Sequence, residues 1–269
     1  MKLYISADME GVTGIVSWTE VQLNNPEYEN ARLQMTKEVS AVIEGFNEME
    51  SNAVLLKDAH DSGRNILADR LPKGTKMHRS WSKDIFVMMS GLDSTFDACI
   101  FTGYHDAAYG NGNPLAHTMS EHKYSYIKLN GEIVSEMMLN AYTAAYMGVP
   151  VIMITGDDAI CKRAKSMMPN IFTLPVKTGI GGACTSLHPE DSIELLKSVA
   201  LDAAKAFAKN PDLFKLDLPN SFELTICFQK HVDAYRASFY PGVSQIDEHT
   251  VQFKCDDYYA LLQMFYFAA

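Results

Sequence analysis

Short apolar segments rich in β-forming residues alternate with longer segments of helical periodicity, and this alternation constrains the fold more than any other feature of the sequence. The pattern predicts strands at residues 3–7, 53–56, 98–102 and 151–155, and helices at residues 30–49 and 158–168. Strands and helices that alternate in this way are typical of βαβ units with a parallel sheet. We therefore predict an α/β fold with three αβα layers around a largely parallel sheet.

A hairpin interrupts this parallel series in the middle of the chain. Apolar and aromatic residues at 124–129 and 133–134 flank the dipeptide Asn130-Gly131. This dipeptide suits a type I′ turn, which connects two antiparallel strands directly. We therefore predict an antiparallel excursion between the third and the fourth parallel strand.

Two prolines, Pro211 and Pro219, mark a change of character near the end of the chain. A helix is predicted at residues 189–209 just before them, and a proline disfavours helix in the residue that precedes it. We expect extended backbone between the prolines and place the domain boundary there. The prediction is a metal-binding catalytic αβα domain at residues 1–210 and a small C-terminal α+β subdomain at residues 211–269.

Charge and cysteine content exclude several classes of protein. The chain has 33 acidic and 23 basic residues, a formal charge of −10, and no basic patch that would attract nucleic acid or anionic lipid. Its 5 cysteines are scattered without a CxxC pair, as expected for reduced thiols. The N-terminal residues do not form a signal peptide. The apolar run at residues 261–267 is far shorter than the roughly 20 residues of a membrane span, so we expect its burial in the core or between subunits. We therefore expect a cytoplasmic protein without nucleic-acid or membrane partners.

Candidate metal ligands follow each of the first three predicted strands. Asp8 and Glu10 come after the first strand, His60 after the second and His105 after the third. The carboxyl ends of neighbouring parallel strands meet at one edge of the sheet, where ligands of open α/β sheets gather. Two carboxylates repel each other unless a cation lies between them. Because carboxylates combined with imidazoles suit zinc or a similar divalent metal, we predict a metal site from these four residues.

Other polar residues have two interpretations from local sequence. Glu136 follows Ser135, a candidate helix cap, and serves either the helix dipole or a site. His117, in the loop after the third strand, is either an acid, base or oxyanion donor, or a surface histidine. Asp157 is best explained as a helix cap. Asp58 is a candidate for orienting one of the imidazoles.

These residues lie within an ordered set of motifs that resembles the zinc-dependent D-aminopeptidases encoded with bacterial dipeptide permeases. The shared motifs are Asp8-Met9-Glu10-Gly11, Asp58 with His60, Gly103-Tyr104-His105, His117, Glu136 with Leu139-Asn140-Ala141-Tyr142, Gly156-Asp157-Asp158 and Val176-Lys177. They run in the same order through the first two thirds of the chain.

The resemblance implies a binuclear zinc aminopeptidase that hydrolyses the first peptide bond of short peptides with an N-terminal D-amino acid such as D-Ala. It assigns the ligands of two zinc ions per subunit to Asp8, Glu10, His60, His105 and Glu136. Asp8 would be the bridging ligand. His117 is implied as the catalytic residue, and we expect it to act by hydrogen bonding or proton transfer. The resemblance also implies a homodecamer of two stacked five-membered rings that enclose the active sites.

Two alternatives from other functional classes stay open. Asp8 after an apolar strand, with Gly156-Asp157-Asp158 further along, imitates the nucleophile and magnesium motifs of haloacid-dehalogenase-type phosphatases. That class would have an aspartate in place of Glu10, and it leaves the histidines without roles. The non-catalytic alternative is a metal-dependent oligomeric scaffold, whose structural zinc would have no open coordination position.

Overall fold

A computed structural model of the protein describes all 269 residues, Met1–Ala269. The strands, in chain order, are β1 (Lys2–Ala7), β2 (Ala53–Asp58), β3 (Lys76–His78), β4 (Ala98–Tyr104), β5 (Tyr124–Leu129), β6 (Glu132–Ile133), β7 (Val151–Asp157), β8 (Phe172–Ile180), β9 (Ala183–Ser186), β10 (Phe222–Phe228), β11 (Val243–Gln245) and β12 (Thr250–Cys255). The α-helices are α1 (Trp18–Val21), α2 (Tyr28–Asn47), α3 (Glu136–Tyr146), α4 (Asp158–Met167), α5 (Pro189–Lys209), α6 (His231–Ala237) and α7 (Tyr258–Ala268). Short 3-10 helices occur at Ala68–Arg70, Val87–Met89 and Pro211–Phe214.

The larger sheet has 7 strands in the order β3-β2-β1-β4-β7-β8-β9. All neighbouring strands are parallel except β8 and β9, which form an antiparallel pair at one edge. β1 lies between β2 and β4, with Leu3 opposite Val54 on one side and Ala98 on the other. The predicted α/β fold with a largely parallel sheet is therefore confirmed.

Helices cover both faces of this sheet because alternate side chains of a strand point to opposite faces. Leu3, Ile5 and Ala7 of β1 pack with α2 and α5 in one core. Tyr4 of the same strand packs with α3 and α4 in a second core on the other face. The three αβα layers expected from the sequence are therefore present.

A smaller antiparallel sheet of 5 strands has the order β11-β12-β10-β5-β6, and it packs with α6 and α7 around a third core. The predicted hairpin is formed by β5 and β6, and the positive φ angles of Asn130 (51°) and Gly131 (87°) fit a type I′ turn. This hairpin belongs to the smaller sheet, because β5 pairs with β10 and places Ile127 opposite Ile226. The domain boundary at residue 211 stays a prediction. The hairpin at residues 124–133 precedes this boundary but pairs with β10, which follows it.

The segment between Pro211 and Pro219 does not have the fully extended backbone that we expected. It opens with the 3-10 helix at Pro211–Phe214. Asn210 has non-helical backbone angles, as a following proline requires. Pro211 then takes the first helical position, where its missing N–H removes no hydrogen bond, so one turn forms after all.

The apolar C-terminal run lies in α7. Leu261, Leu262, Met264 and Phe265 are buried in the third core, as predicted, whereas Phe267 is 64% exposed. All five cysteines are free, in agreement with the expectation of reduced thiols. None of the helices combines the length and the apolar character needed to cross a bilayer.

Two glycines allow the ends of β1 and β4 to approach each other closely. The N–H of Gly11 donates to the carbonyl of Gly103 at 2.8 Å. A Cβ atom on Gly11 would lie 1.8 Å from the carbonyl oxygen of Tyr104, and one on Gly103 would lie 2.3 Å from that of Asp8. Gly103 also has a φ of +68°, a conformation that favours glycine. This contact fixes the position at which the chain leaves β1.

Replacing Gly11 with alanine should lower the free energy of unfolding by roughly 2–4 kcal/mol, because the backbone must move to admit the new Cβ atom. Gly182→Ala is the matched control, since its Cβ atom would meet nothing within 4 Å and its φ is not left-handed. The control should change stability by less than about 0.5 kcal/mol. Urea denaturation followed by circular dichroism measures both. Equal midpoints for the two variants would contradict the close approach.

Candidate metal centre

Three adjacent strands deliver the predicted ligands to one edge of the larger sheet. Asp8 and Glu10 follow β1, His60 follows β2 and His105 follows β4. Because β2 and β4 are the two neighbours of β1, their carboxyl ends meet. Glu136 reaches the same place from the first turn of α3. The structure therefore brings the five predicted ligands together.

The start of α3 holds Glu136 in place. The side chain of Ser135 caps the helix and accepts from the N–H of Met138 at 3.3 Å, as its position in the sequence predicted. Oε1 of Glu136 accepts from the N–H of Met119 at 2.6 Å. Compensation of the helix dipole is not enough to explain Glu136, because its side chain is buried and faces His105.

Two groups of possible ligand atoms share Asp8. Nδ1 of His60 lies 3.3 Å from Oδ1 of Asp8 and 3.0 Å from Oε2 of Glu10. Nε2 of His105 lies 3.6 Å from Oδ2 of Asp8 and 3.6 Å from Oε2 of Glu136. Each group could hold one metal ion, and the two oxygens of Asp8 point to different groups.

His117 lies beside both groups. Its Nε2 atom is 3.7 Å from Oε1 of Glu136 and 4.0 Å from Oε1 of Glu10. Its ring stacks on that of His105, with centroids 4.4 Å apart, and meets the edge of Trp18. His117 also forms a third possible ligand group with Glu10 and His105. The interpretation as an isolated surface histidine is therefore wrong.

Each of the three imidazoles has one nitrogen hydrogen-bonded to a backbone carbonyl. Nε2 of His60 contacts the carbonyl of Val21 at 2.7 Å. Nδ1 of His105 contacts the carbonyl of Asp106 at 2.8 Å, and Nδ1 of His117 contacts the carbonyl of Leu115 at 2.8 Å. A carbonyl only accepts, so these nitrogens carry the hydrogen. In the neutral ring the opposite nitrogen then presents its lone pair to the carboxylates, which is the orientation found in metal-binding histidines.

Burial and crowding strongly perturb the acid–base equilibria of the cluster. Burial, together with the Glu10 carboxylate, raises the pKa of Asp8 well above its usual range. Burial also favours a higher pKa for Glu10, but the imidazole of His60 outweighs it and lowers that pKa. Burial disfavours a charged imidazole, yet Glu10 raises the pKa of His60 and Glu136 raises that of His105 to about 10. The cluster thus attracts positive charge.

Unsatisfied polar atoms test whether a divalent metal fits this cluster. Oδ2 of Asp8, Oε2 of Glu10 and Nε2 of His105 are buried and have no hydrogen-bond partner. Buried polar atoms are nearly always hydrogen-bonded or bound to metal. All three atoms belong to the two groups that share Asp8. Oxygen and imidazole nitrogen donors suit zinc, so the residues fit the metal.

Asp58 supports the site differently from the expected contact with an imidazole. Its Oδ2 accepts from the N–H groups of Asn65 and Ile66, at 2.6 and 2.8 Å. The side-chain amide of Asn65 donates to Oδ1 of Asp58 and to the carbonyl of His60, at 2.7 Å each. Asp58 therefore holds the backbone of His60 through Asn65, while Nε2 of that histidine contacts the carbonyl of Val21 and Nδ1 faces the ligand carboxylates.

Two further buried side chains, Asp157 and Lys177, form hydrogen bonds with the backbone near the cluster. Asp157 caps α4 by accepting from the N–H of Ile160 at 2.8 Å, as predicted. Lys177 donates from Nζ to the backbone carbonyls of Glu10 and Ile15. Sequence patterns gave no role to this lysine, since its partners are backbone atoms far away in the chain.

The cluster forms the floor of a cleft of about 360 Å³. The cleft walls include Trp18, Trp81 and Lys83, none of which was singled out from the sequence. The sequence does contain a signal for the helix that carries Trp18, because Ser17 and Glu20 have the spacing of a capping box and form one at the start of α1. Trp81 and Lys83 lie in a segment without strand or helix, and no periodic pattern indicates their position.

Comparison with known proteins identifies the family. The sequence model of the D-aminopeptidase family, peptidase family M55, matches residues 1–267. The chain belongs to the D-aminopeptidase family. A D-aminopeptidase of Bacillus subtilis (strain 168) is 36% identical over 276 residues, covering 98% of this chain and 96% of that protein. The solved structure of a zinc-dependent D-aminopeptidase of Bacillus subtilis, DppA, described as a self-compartmentalizing protease, matches with a TM-score of 0.88 and 33% identity. That match covers 100% of this chain and 98% of the other.

Family membership confirms the resemblance inferred from the motifs. It makes the chain a zinc metallopeptidase and an α/β protein of the same fold as its structural relative. The magnesium phosphatase alternative is therefore wrong, as the glutamate at position 10 already suggested. The non-catalytic scaffold is excluded for the same reason, since the family is one of enzymes.

Proposed function

We propose that the chain is a binuclear zinc aminopeptidase that hydrolyses the first peptide bond of short peptides beginning with a D-amino acid such as D-Ala. The observation that carries the proposal is the pair of ligand groups that share Asp8 on the floor of an open cleft. The family and the Bacillus subtilis relatives support the preference for D-residues. We expect the enzyme in the cytoplasm, where free cysteines remain reduced.

The two groups suggest how the ligands are divided between two zinc ions. Asp8, Glu10 and His60 would hold one ion. Asp8, His105 and Glu136 would hold the other, with Asp8 bridging through its two oxygens. When bound, zinc supplies Lewis acidity toward a peptide carbonyl and lowers the pKa of water towards about 7. The chain contributes a rigid frame, since backbone carbonyls fix both imidazoles.

His117 is the proposed catalytic residue. Its Nδ1 atom is held by the carbonyl of Leu115 at 2.8 Å, which leaves Nε2 directed at the cluster. In the neutral ring Nε2 can accept a proton, and in the doubly protonated ring it can donate a hydrogen bond to a substrate oxygen or pass that proton to the departing amine. The ring is almost fully buried between Trp18 and His105, so its orientation is well defined.

We also propose that the chains assemble into a homodecamer of two stacked five-membered rings. Support comes from the relative described as self-compartmentalizing and from large exposed aromatic side chains on the smaller sheet and its helices. Tyr235 and Phe239 are 61% and 71% exposed, with ring centroids 5.0 Å apart. Arg236 donates to the carbonyl of Ala268 and joins α6 to the end of α7, beside the exposed Phe267. Such exposed apolar surface is typical of interfaces.

Metal analysis tests the bridging role of Asp8. The purified protein should contain about two zinc ions per chain, and Asp8→Ala should lose more than one of them because a bridging ligand serves both ions. Glu121→Ala is the control, since this carboxylate lines the cleft but belongs to neither ligand group. Elemental analysis after dialysis gives the stoichiometry. Full zinc content in Asp8→Ala would contradict the proposed site.

Removing the imidazole of His117 tests its role in the reaction. His117→Ala should keep its zinc and its melting temperature but lose roughly 10²-fold in kcat, the usual effect of removing a general acid or base. Zinc content and steady-state kinetics are measured on the same preparation. Loss of zinc would make His117 a ligand, as the third ligand group allows. Turnover close to that of the unaltered enzyme would leave it without a catalytic role.

Paired substrates test the reaction itself. We expect hydrolysis of D-alanyl-p-nitroanilide to exceed that of the L-alanyl isomer by at least about tenfold in kcat/KM, a difference of about 1.4 kcal/mol between the two transition states. The Asp8→Ala protein is the negative control. Casein should stay intact, because folded or long chains do not enter an enclosed chamber. Faster cleavage of the L-isomer would overturn the assignment of substrate.

Light scattering tests the assembly. A homo-oligomer of roughly ten chains is expected, since closed symmetry is the usual outcome of subunit association. Phe239→Asp should reduce the mass if the exposed aromatic residues lie between subunits. Leu195→Asp, at a partly exposed position on α5, is the control for the added charge. A monomeric unaltered protein would contradict the proposed rings.

A further inference from the structure

Lys83 is the one lysine or arginine among the residues that line the cleft. Two carboxylates, Asp61 and Glu121, line the same cleft outside the ligand groups. An exposed ammonium group on the wall of a cleft can bind an anionic part of a molecule that enters the cleft. Neither carboxylate pairs with Lys83: Glu121 lies 3.1 Å from His122, and the lysines that form ion pairs are Lys2, Lys162, Lys197, Lys205, Lys215 and Lys254.

The backbone of Lys83 is fixed even though its side chain is exposed. Its φ of 63° lies in the left-handed region, which costs energy for a residue other than glycine. The hydroxyl of Tyr266 in α7 donates to the carbonyl of Lys83 at 2.8 Å. The lysine is therefore presented from a defined point of the wall.

The adjoining residues tie this wall to the loop that carries His60. The buried Lys57 donates from Nζ to the carbonyl of Ser80 at 2.7 Å and lies over the ring of Trp81. The indole N–H of Trp81 donates to the carbonyl of Asp61 at 2.6 Å. Because Asp61 directly follows His60, the wall and the metal centre form one connected unit.

We infer that Lys83 binds the C-terminal carboxylate of the short peptide whose N-terminal residue the enzyme removes. This inference rests on the proposed function, which places the ammonium end and first peptide bond of the substrate at the metal centre. Short peptides carry their negative charge at the opposite end, and Lys83 lines the same cleft as the ligand groups. An ammonium group close to a carboxylate forms a charge-assisted hydrogen bond, and Lys83 is the one such donor that the cleft offers.

A fixed cation at one point of the wall has a consequence for substrate length. Each added residue of an extended peptide moves the C-terminal carboxylate by about 3.3–3.6 Å. The contribution of Lys83 should therefore be large for one peptide length and fall for longer peptides. A peptide amide or an anilide, which has no carboxylate, should gain nothing from this lysine.

The test compares free acids with C-terminal amides in Lys83→Met. D-Ala-Gly, D-Ala-Gly-Gly and D-Ala-Gly-Gly-Gly are used as acids and as amides, together with D-alanyl-p-nitroanilide. At the best length, Lys83→Met should raise the KM of the acid about tenfold, in the range for losing one charge-assisted hydrogen bond. Its kinetics with amides and the anilide should stay within about twofold of the unaltered enzyme. Lys83→Arg should restore part of the preference for acids.

The control is Lys73→Met, which changes the net charge equally at an exposed lysine outside the cleft. It should leave the ratio of acid to amide kinetics unchanged. An unchanged ratio in Lys83→Met, with normal hydrolysis of the anilide, would overturn the role of Lys83 alone. A parallel loss with acid, amide and anilide would also overturn it, since the lysine would then be structural. Absence of D-alanyl hydrolysis in the unaltered enzyme would overturn the proposed function as well.

Discussion

The mutual repulsion of three buried carboxylates, on Asp8, Glu10 and Glu136, is the constraint on which the rest of the structure depends. Such groups stay together only when positive charge lies between them and their positions are fixed. The larger sheet fixes two of them, because β1 is an interior strand and its close glycine contact with β4 restricts displacement. The imidazoles of His60 and His105 enter from the neighbouring strands and place ring nitrogens beside these carboxylates, where a metal ion would be held.

Sequence patterns predicted the features that depend on local chemistry. The helix at Pro189–Lys209 begins and ends where its proline and apolar spacing indicate. The convergence of the candidate ligands could be predicted because parallel strands bring successive carboxyl ends to one edge. In contrast, local patterns cannot show which sheet the hairpin joins. That depends on pairing between residues far apart in the chain, such as Ile127 and Ile226.

The walls of the cleft were beyond prediction for a different physical reason. Asp61, Lys83 and Val87 line the cleft and have positive φ angles without being glycine. Residue propensities disfavour a positive φ angle for these residue types, and only the surrounding contacts hold them in these conformations. A sequence also gives no indication of which carbonyls orient the imidazoles, because every residue has a backbone carbonyl. Chemistry at the floor of the site could thus be anticipated from residue types, whereas its shape follows from the folded backbone.

The position of Glu136 joins two parts of the molecule that have separate cores. It lies just after the hairpin of the smaller sheet. In the helix that it starts, Met137 packs in the second core while Leu139 packs in the third. The other four ligands all come from the ends of strands in the larger sheet. A metal ion held by both sets, as proposed above, would therefore connect the two units. Outward movement of the smaller unit would then require a ligand to leave the metal, so metal occupancy would restrict the motion of the two units relative to each other.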